Sequence, residues 1–265
     1  MPTEPQSHLM LLAIDVGNTN VVLGVFDGEE LIADFRLHTD ERSTGDEMGL
    51  LIVGLLGSRG ILPERISAVV VSNVVPILSR PIEELSQHYF RLSPMVVGPG
   101  IRTGMRILYE DPRQVGADRI VNALAAYRRY GGPAVLVDFG TATTFDAISP
   151  SGDYLGGAIA PGIVISLDAL VSHTAKLTRV ELAAPPSVVG RNTTASMQAG
   201  LVYGYVGLIE GIVARMKGEL GDSAKVIATG GLAELIAAQT AAIDTVDQRL
   251  TLDGLRIIHE LNVPG

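Results

Sequence analysis

Two carboxylates of this chain stand in the same local setting, and that setting suits phosphate chemistry. Asp15 closes the apolar run LLAID and is followed by Val16, Gly17 and the polar residues Asn18, Thr19 and Asn20. Asp138 closes the run AVLVD and is followed by Phe139, Gly140 and Thr141. In both copies a second short apolar run comes next and ends in a turn with a glycine, Gly28 or Gly152. A carboxylate at a strand end can hold a cation, and the glycine beside it lets a polyphosphate approach backbone N–H groups. One Asp-x-Gly by itself is an ordinary turn. Two at corresponding places, half a chain apart, predict two like-folded halves facing each other across a cleft that takes a nucleoside triphosphate.

The elements that must carry these turns follow from the hydrophobic pattern. Two strands flank residues 17–20, and a third is expected over 30–38. Met48, Leu51, Ile52, Leu55 and Leu56 recur at i, i+3, i+4 spacing, which predicts an amphipathic helix over 44–57. A buried strand (67–73), a helix (76–89) and a short strand (95–98) complete a ββ β-α-β-α order, hence a mixed sheet with crossover helices. Residues 100–116 are polar and irregular and lead into a helix over 117–130. After the second hairpin, GGAIAPG reads as a loop that opens a helix, and 194–220 reads as a long helix. KVIATGG is a strand meeting a Gly-Gly turn, LAELIAA resumes helix, and LDGLRIIHELN is a terminal helix. The expected organisation is a leader (1–9), an N-terminal half (10–115) and a C-terminal half (116–265).

Composition narrows the classes. With 265 residues, 47% of them apolar, the chain can bury a sizeable core. A net charge of −9 argues against nonspecific nucleic-acid binding, and the absence of Cys excludes disulfides, thiolate metal sites and Cys nucleophiles. Lys occurs only at 176, 217 and 225, never in a Gly-x-x-x-x-Gly-Lys-Ser/Thr pattern, so a P-loop is absent. Glu4 stands where a signal peptide would carry a basic residue, and the apolar stretch 157–172 is broken by Pro161, Gly162 and Asp168. The expectation is a cytoplasmic protein without membrane contact. The five His residues lack metal-ligand spacing and read as surface or satisfied core.

The order of a first phosphate turn, a second phosphate turn and a Gly-Gly turn (227–231) suited to adenosine resembles the sugar-kinase, heat-shock-protein and actin superfamily. A narrower set resembles the type III pantothenate kinases: IDVGNTN, Tyr109, GADRIVNALAA, DFGTATTFD, GGAIAPG and GRNT, in the family's order and with nearly its spacing. The resemblance implies an α/β fold of two similar halves, each a ribonuclease-H-like mixed sheet with flanking helices, with the ATP cleft between them. It implies phosphorylation of the 4′-hydroxyl of pantothenate by ATP, the first step of coenzyme A synthesis, by a homodimer using Mg²⁺ and K⁺ or NH₄⁺.

Phosphoryl transfer itself needs positioning, charge neutralisation and a group that orients the attacking hydroxyl. Asp118, at a loop-to-helix junction between the two turns, is the candidate base. Arg119 is either its structural ion-pair partner or the group that neutralises substrate carboxylate or transferring phosphate; the resemblance, in which Gly116, Ala117, Asp118 and Arg119 contact substrate, favours the latter. Asp15 suits Mg²⁺ held through water. The resemblance makes Asp15, Val16, Gly17, Asn18, Thr19, Asn20, Val21 and Val22 an ATP-binding run, with Thr141 a further ATP contact. It assigns Asp138 to the monovalent cation, against the plainer reading of a turn cap. It makes Tyr109 and Thr193 substrate contacts, where a core aromatic and a helix N-cap are the alternatives. GGAIAPG borders the cleft or is only a packing turn.

Two other readings compete. A regulatory homologue that has lost catalysis would show decay of Asp15, Asp118 or Asp138, and all three are intact. A sugar kinase of the same superfamily would share the clamp but not Tyr109 with GADR. The segment 197–216, with Ala199, Val202, Tyr203, Val206, Ile209 and Val213 at helical spacing, fits a dimer interface or the monomer core.

Overall fold

The apolar run before Asp15 forms the central strand of a five-stranded sheet in the structure, a computed structural model that describes residues 10–263. The leader expected over residues 1–9 lies outside the described residues. The chain divides into two compact units. Among the described residues, one takes in 10–104, Arg113–Asn122 and 251–263; the other consists of Met105–Pro112 and Ala123–Leu250.

In the first unit β1 (Met10–Val16) pairs antiparallel with β2 (Asn20–Asp27), and β2 pairs antiparallel with β3 (Glu30–His38). β4 (Ile66–Asn73) lies parallel to β1 on its other side, and the short β5 (Met95–Val96) parallel to β4, giving the order β3-β2-β1-β4-β5. β1 and β4 are buried on both faces, with Leu12, Ile14, Val69 and Val71 on one and Leu11, Ala13 and Val70 on the other, which gives near-continuous apolar runs rather than alternation. Helix α1 (Gly45–Ser58) starts at a capping box. The Thr44 hydroxyl accepts from the Glu47 N–H, and the Glu47 carboxylate accepts from the Thr44 N–H. It buries Met48, Ile52 and Leu56, while Leu51 stays exposed.

The single helix expected over 76–89 is three pieces: a 3₁₀ turn (Pro76–Leu78), α2 (Ser79–Leu85) and a π-helical turn (Ser86–Phe90). Pro76 begins the 3₁₀ turn, where its missing N–H removes no intrahelical bond. Arg91 ends the π turn at a φ of 59°. Helix α3 (Ala117–Tyr130) opens in the first unit, where Thr251, near the start of the last helix, donates to the buried Asn122 at 2.7 Å.

The second unit repeats the topology. β6 (Ala134–Phe139), β7 (Ala142–Ile148) and β8 (Tyr154–Pro161) form an antiparallel meander; β9 (Lys225–Gly230) lies parallel to β6 and β10 (Thr245–Val246) parallel to β9. The order β8-β7-β6-β9-β10 reproduces that of the first sheet strand for strand. Here the expectation for GGAIAPG is corrected: its first six residues are part of β8, not a loop. As an edge strand β8 pairs with β7 along its length and meets residues 106–108 only at Tyr154, so Pro161 is tolerated at its far end and the small residues Gly156, Gly157, Ala158 and Ala160 leave no alternating pattern to read.

Helices α4 (Ile163–Ser172), α5 (Thr193–Leu220) and α6 (Ala233–Ala237) complete this unit, and α7 (Leu250–Asn262) runs on from it. Of the stripe expected from 197–216, Val202, Val206, Ile209 and Val213 lie in the second unit's core with Met197 and Tyr205, and Ala199 is buried, whereas Tyr203 is half-buried and its hydroxyl donates to the Pro185 carbonyl at 2.6 Å. Among the described residues α5 is the one helix long and apolar enough to cross a membrane, a longer apolar element than the 157–172 stretch singled out from sequence. One full face of it is core.

Candidate active site

The first unit gathers one set of candidate residues around the end of β1. Asp15 is the last but one residue of that strand, level with Val22 on β2 and Ser72 on β4. The turn after it is fixed by its own backbone and by Thr39. The Gly17 N–H donates to the Asn20 carbonyl at 3.0 Å. The Thr39 hydroxyl donates to the Gly17 carbonyl at 2.7 Å, and the Thr39 N–H to the Thr19 carbonyl at 3.0 Å. With its carbonyls tied down, this turn has a fixed shape on which a polyphosphate can be bound by N–H groups. Val16 and Val21 are buried, so only their backbone is available to ATP; Asn18 and Thr19 are exposed.

Asp118 stands in the first turn of α3, where the helix dipole favours negative charge. Its Oδ1 accepts from the Arg119 N–H at 2.9 Å. A Cβ on Gly116 would lie 2.4 Å from that same oxygen, so the carboxylate occupies space that only glycine leaves open. Asp118 sits close enough to Asp15 for their charges to interact. Burial first, and then the Asp118 charge, push Asp15 up to about 7, while the Ser72 hydroxyl opposes the rise. That hydroxyl does not reach hydrogen-bond geometry: Asp15 Oδ1 and Ser72 Oγ are both buried without a partner. Burial raises Asp118 as well, against the Arg119 N–H and guanidinium, which lower it. Two desolvated carboxylates with an unsatisfied oxygen are the donor set that a divalent cation satisfies, so the residues fit Mg²⁺.

Asp15 gives a pH prediction for the metal-free protein. A carboxyl whose folded value lies above its unfolded value holds its proton more tightly when folded. Its contribution to stability is therefore full below about 4 and is lost as pH rises through about 7. Urea melts in EDTA should show stability falling over this window, and Asp15→Asn should flatten part of the fall. Identical pH slopes for the two proteins would refute the assignment.

The second unit holds the other set. Asp138 occupies on β6 the place of Asp15 on β1, level with Thr144 on β7 and Thr229 on β9. The Gly140 N–H donates to the Ala142 carbonyl at 3.0 Å, and the Gly162 N–H, just past β8, to the Thr141 carbonyl at 3.1 Å. Gly162 thus ties the second turn from the place where Thr39 ties the first. Gly230 ends β9 at a φ of 92°, and a Cβ there would lie 2.5 Å from Asp138 Oδ1 and 2.7 Å from the Phe139 backbone. The Gly-Gly turn therefore packs on the Asp138 carboxylate.

Tyr109 is half-buried, its ring 3.4 Å from where a Gly156 Cβ would sit, in a segment of irregular backbone. Thr193 begins α5 and lines a cavity of about 700 Å³ with Gly190, Arg191 and Ser196. The cap expected of Thr193 belongs to Asn192, whose Oδ1 accepts from the Ala195 N–H at 2.8 Å. Its extended backbone (φ −151°, ψ 166°) marks the boundary. Gly162 lies in the GGAIAPG segment and Gly230 in the Gly-Gly turn, both singled out above; Thr39 and Ser72 escaped the sequence reading, because they become neighbours of the first turn only through strand register and chain return.

Two five-stranded sheets of identical order, each with an Asp and a glycine turn at the end of its central strand, define an actin- and sugar-kinase-like fold. Solved structures agree at the level of fold. The ethanolamine utilization protein EutJ of Carboxydothermus hydrogenoformans superposes with a TM-score of 0.57 at 14% identity, covering 97% of this chain and 92% of its own. A Campylobacter jejuni protein assigned to the Baf family of transcriptional activators gives 0.60 at 22% identity, covering 95% and 98%. The family model for type III pantothenate kinase matches residues 11–215. The type III pantothenate kinase of Myxococcus xanthus is 60% identical over 253 residues, 96% of this chain and 99% of that one; the Moorella thermoacetica enzyme of the same name is 55% identical over 253 residues, 96% and 100%. The chain belongs to the type III pantothenate kinase family.

Proposed function

We propose that this protein transfers the γ-phosphoryl group of ATP to the 4′-hydroxyl of pantothenate, the opening step of coenzyme A synthesis. The observation that carries this reading is near-full-length identity of 54–60% to type III pantothenate kinases, with Asp15, Asp118 and Asp138 all in place. The likeness to a Baf-family protein at 22% identity extends to fold alone, as does that to a 2-dehydro-3-deoxygalactonokinase-like protein at 13%.

Asp118 acts as the base. Its carboxylate accepts the proton of the 4′-hydroxyl as that oxygen bonds to the γ-phosphorus and the bond to the β-phosphate oxygen breaks, releasing ADP. Desolvation raises its proton affinity toward the operating pH, which favours this role. Arg119, buried beside it, offsets negative charge at the transferring group, and Gly116, Ala117, Tyr109 and Thr193 bind the substrate. The run Asp15–Val22 and Thr141 bind ATP through the two turns. Asp15 would hold Mg²⁺ through water and Asp138 a monovalent cation, K⁺ or NH₄⁺; bound there, the cations supply charge neutralisation for the polyphosphate.

We also propose a homodimer in the cytoplasm, where ATP is available. With one face of α5 in the core, Gly200, Gly204, Gly207 and Gly218 remain exposed along the helix, with open space where their Cβ atoms would be. A row of small residues lets a second backbone approach closely. Light scattering combined with an ADP-release assay tests both readings. The active species should have twice the 27.9 kDa of one chain and should release ADP only when pantothenate is added. An active species of single-chain mass refutes the dimer, and ADP release indifferent to pantothenate refutes the activity.

A further inference from the structure

Residues 105–112 belong to the second unit although the chain on both sides of them belongs to the first. Up to Asp111 they form no strand or helix, so their register is decided by a few contacts. The Tyr154 N–H donates to the Arg106 carbonyl and the Leu108 N–H to the Tyr154 carbonyl, both at 2.8 Å, an isolated parallel bridge on the start of β8. Tyr154 is itself immobilised: it is fully buried and its hydroxyl donates to Asp146 at 2.6 Å.

The second contact is a fork. Arg106 Nε donates to Asp153 Oδ1 at 2.7 Å and Arg106 Nη2 to Asp153 Oδ2 at 2.8 Å. Asp153 is held from the other side by the β7–β8 turn. The hydroxyls of Ser151 (2.7 Å) and Ser149 (3.2 Å) donate to Oδ2, and the Asp153 N–H donates to Ser149 Oγ at 2.9 Å. Arg106 and the two serines keep this carboxyl at about 2, so it is ionised throughout the working range. A bidentate pair of this kind fixes direction as well as distance. Three residues along the chain is Tyr109, whose ring covers Gly156 on β8, at a φ of 117° where a side chain would be strained and would meet the ring.

We propose that Arg106 and Asp153 are positioning residues for the substrate: the fork sets the register of residues 106–108 against β8 and thereby the placement of the Tyr109 ring at the pantothenate site. The inference rests on the reading of Tyr109 as a substrate contact. In this role neither residue touches substrate itself, so their loss should act through Tyr109 alone. The Arg106 side chain is 73% exposed, which leaves Arg106→Gln free to fold.

The experiment is a double-mutant cycle on steady-state kinetics with Arg106→Gln, Tyr109→Ala and the pair. Arg106→Gln should raise KM for pantothenate roughly tenfold and leave KM for ATP unchanged. The double variant should be no worse than Tyr109→Ala. Asp153→Asn, which keeps the shape and removes the charge, should reproduce Arg106→Gln. A rise in pantothenate KM with Tyr109→Ala but none with Arg106→Gln overturns the positioning role and leaves the substrate contact standing. Additive effects in the double variant overturn it too. No change with Tyr109→Ala overturns the substrate contact itself, and the inference with it.

Discussion

Asp118→Asn is expected to lower turnover by about 10²- to 10⁴-fold while KM for ATP stays near its original value. The substitution is isosteric, and the amide oxygen can still accept from the Arg119 N–H that now holds Oδ1, so the first turn of α3 and the glycine space at Gly116 are kept. What disappears is the proton acceptor. On the proposed roles the loss should fall on kcat, because a base acts in the transition state, whereas Gly116 and Arg119 would still bind substrate in the ground state. The same substitution removes one of the two negative charges that face each other in the first unit, so Asp15 should titrate lower in the variant. Rapid-quench measurement of the phosphoryl-transfer step separates the two effects. A variant that transfers phosphate at near-normal rate removes Asp118 from the chemistry, whatever its effect on Asp15.

Much of this arrangement was legible in the residues, for physical reasons that also explain the gaps. β1 with β2 and β6 with β7 are central hairpins, and their long β-branched runs bracket a turn whose Gly and polar residues have few other uses. α3 and α5 show helical spacing over many residues. β8 does not, because an edge strand of Gly and Ala is specified by its partner rather than by its own side chains. Asn192 and Thr193 are equally good caps by type; the backbone conformation chooses Asn192. Sequence spacing gave the α5 stripe but could not say which face met the core. Thr39 is an isolated Thr at the end of β3, and Ser72 lies 57 residues from Asp15. Only the register that sets Ser72 beside Asp15, and Thr229 beside Asp138, reveals that the two sheets repeat a hydroxyl as well as a carboxylate. The Arg106–Asp153 fork spans 47 residues and joins an irregular segment to a turn, where neither period nor motif gives warning.

Asp138→Ala is expected to reduce activity by about 10²-fold, the usual scale for removing one preorganised electrostatic group, and added K⁺ should not restore it. Asp138 ends the central strand of its sheet, and the Gly-Gly turn after β9 leans on its carboxylate at a position where no side chain is tolerated. The backbone is thus shaped around this one acidic group. A carboxylate facing a polyphosphate is unfavourable by itself: at ~4 Å two like charges repel by about 4 kcal/mol in surroundings of intermediate dielectric. A cation between them turns that repulsion into attraction on both sides. A large monovalent ion asks less of the geometry than Mg²⁺, which demands near-octahedral oxygen ligands. The native enzyme should therefore be active in K⁺ or NH₄⁺ and poorly active in Na⁺ alone. Asp138→Ala should be insensitive to the choice of cation, because the group that made the choice matter is gone. Asp138→Asn, which keeps an oxygen at the site without its charge, should fall between the two in both rate and cation dependence. Equal rates for the native enzyme in K⁺ and in a K⁺-free Na⁺ buffer would reject the cation, leaving Asp138 as a turn residue that braces Gly230.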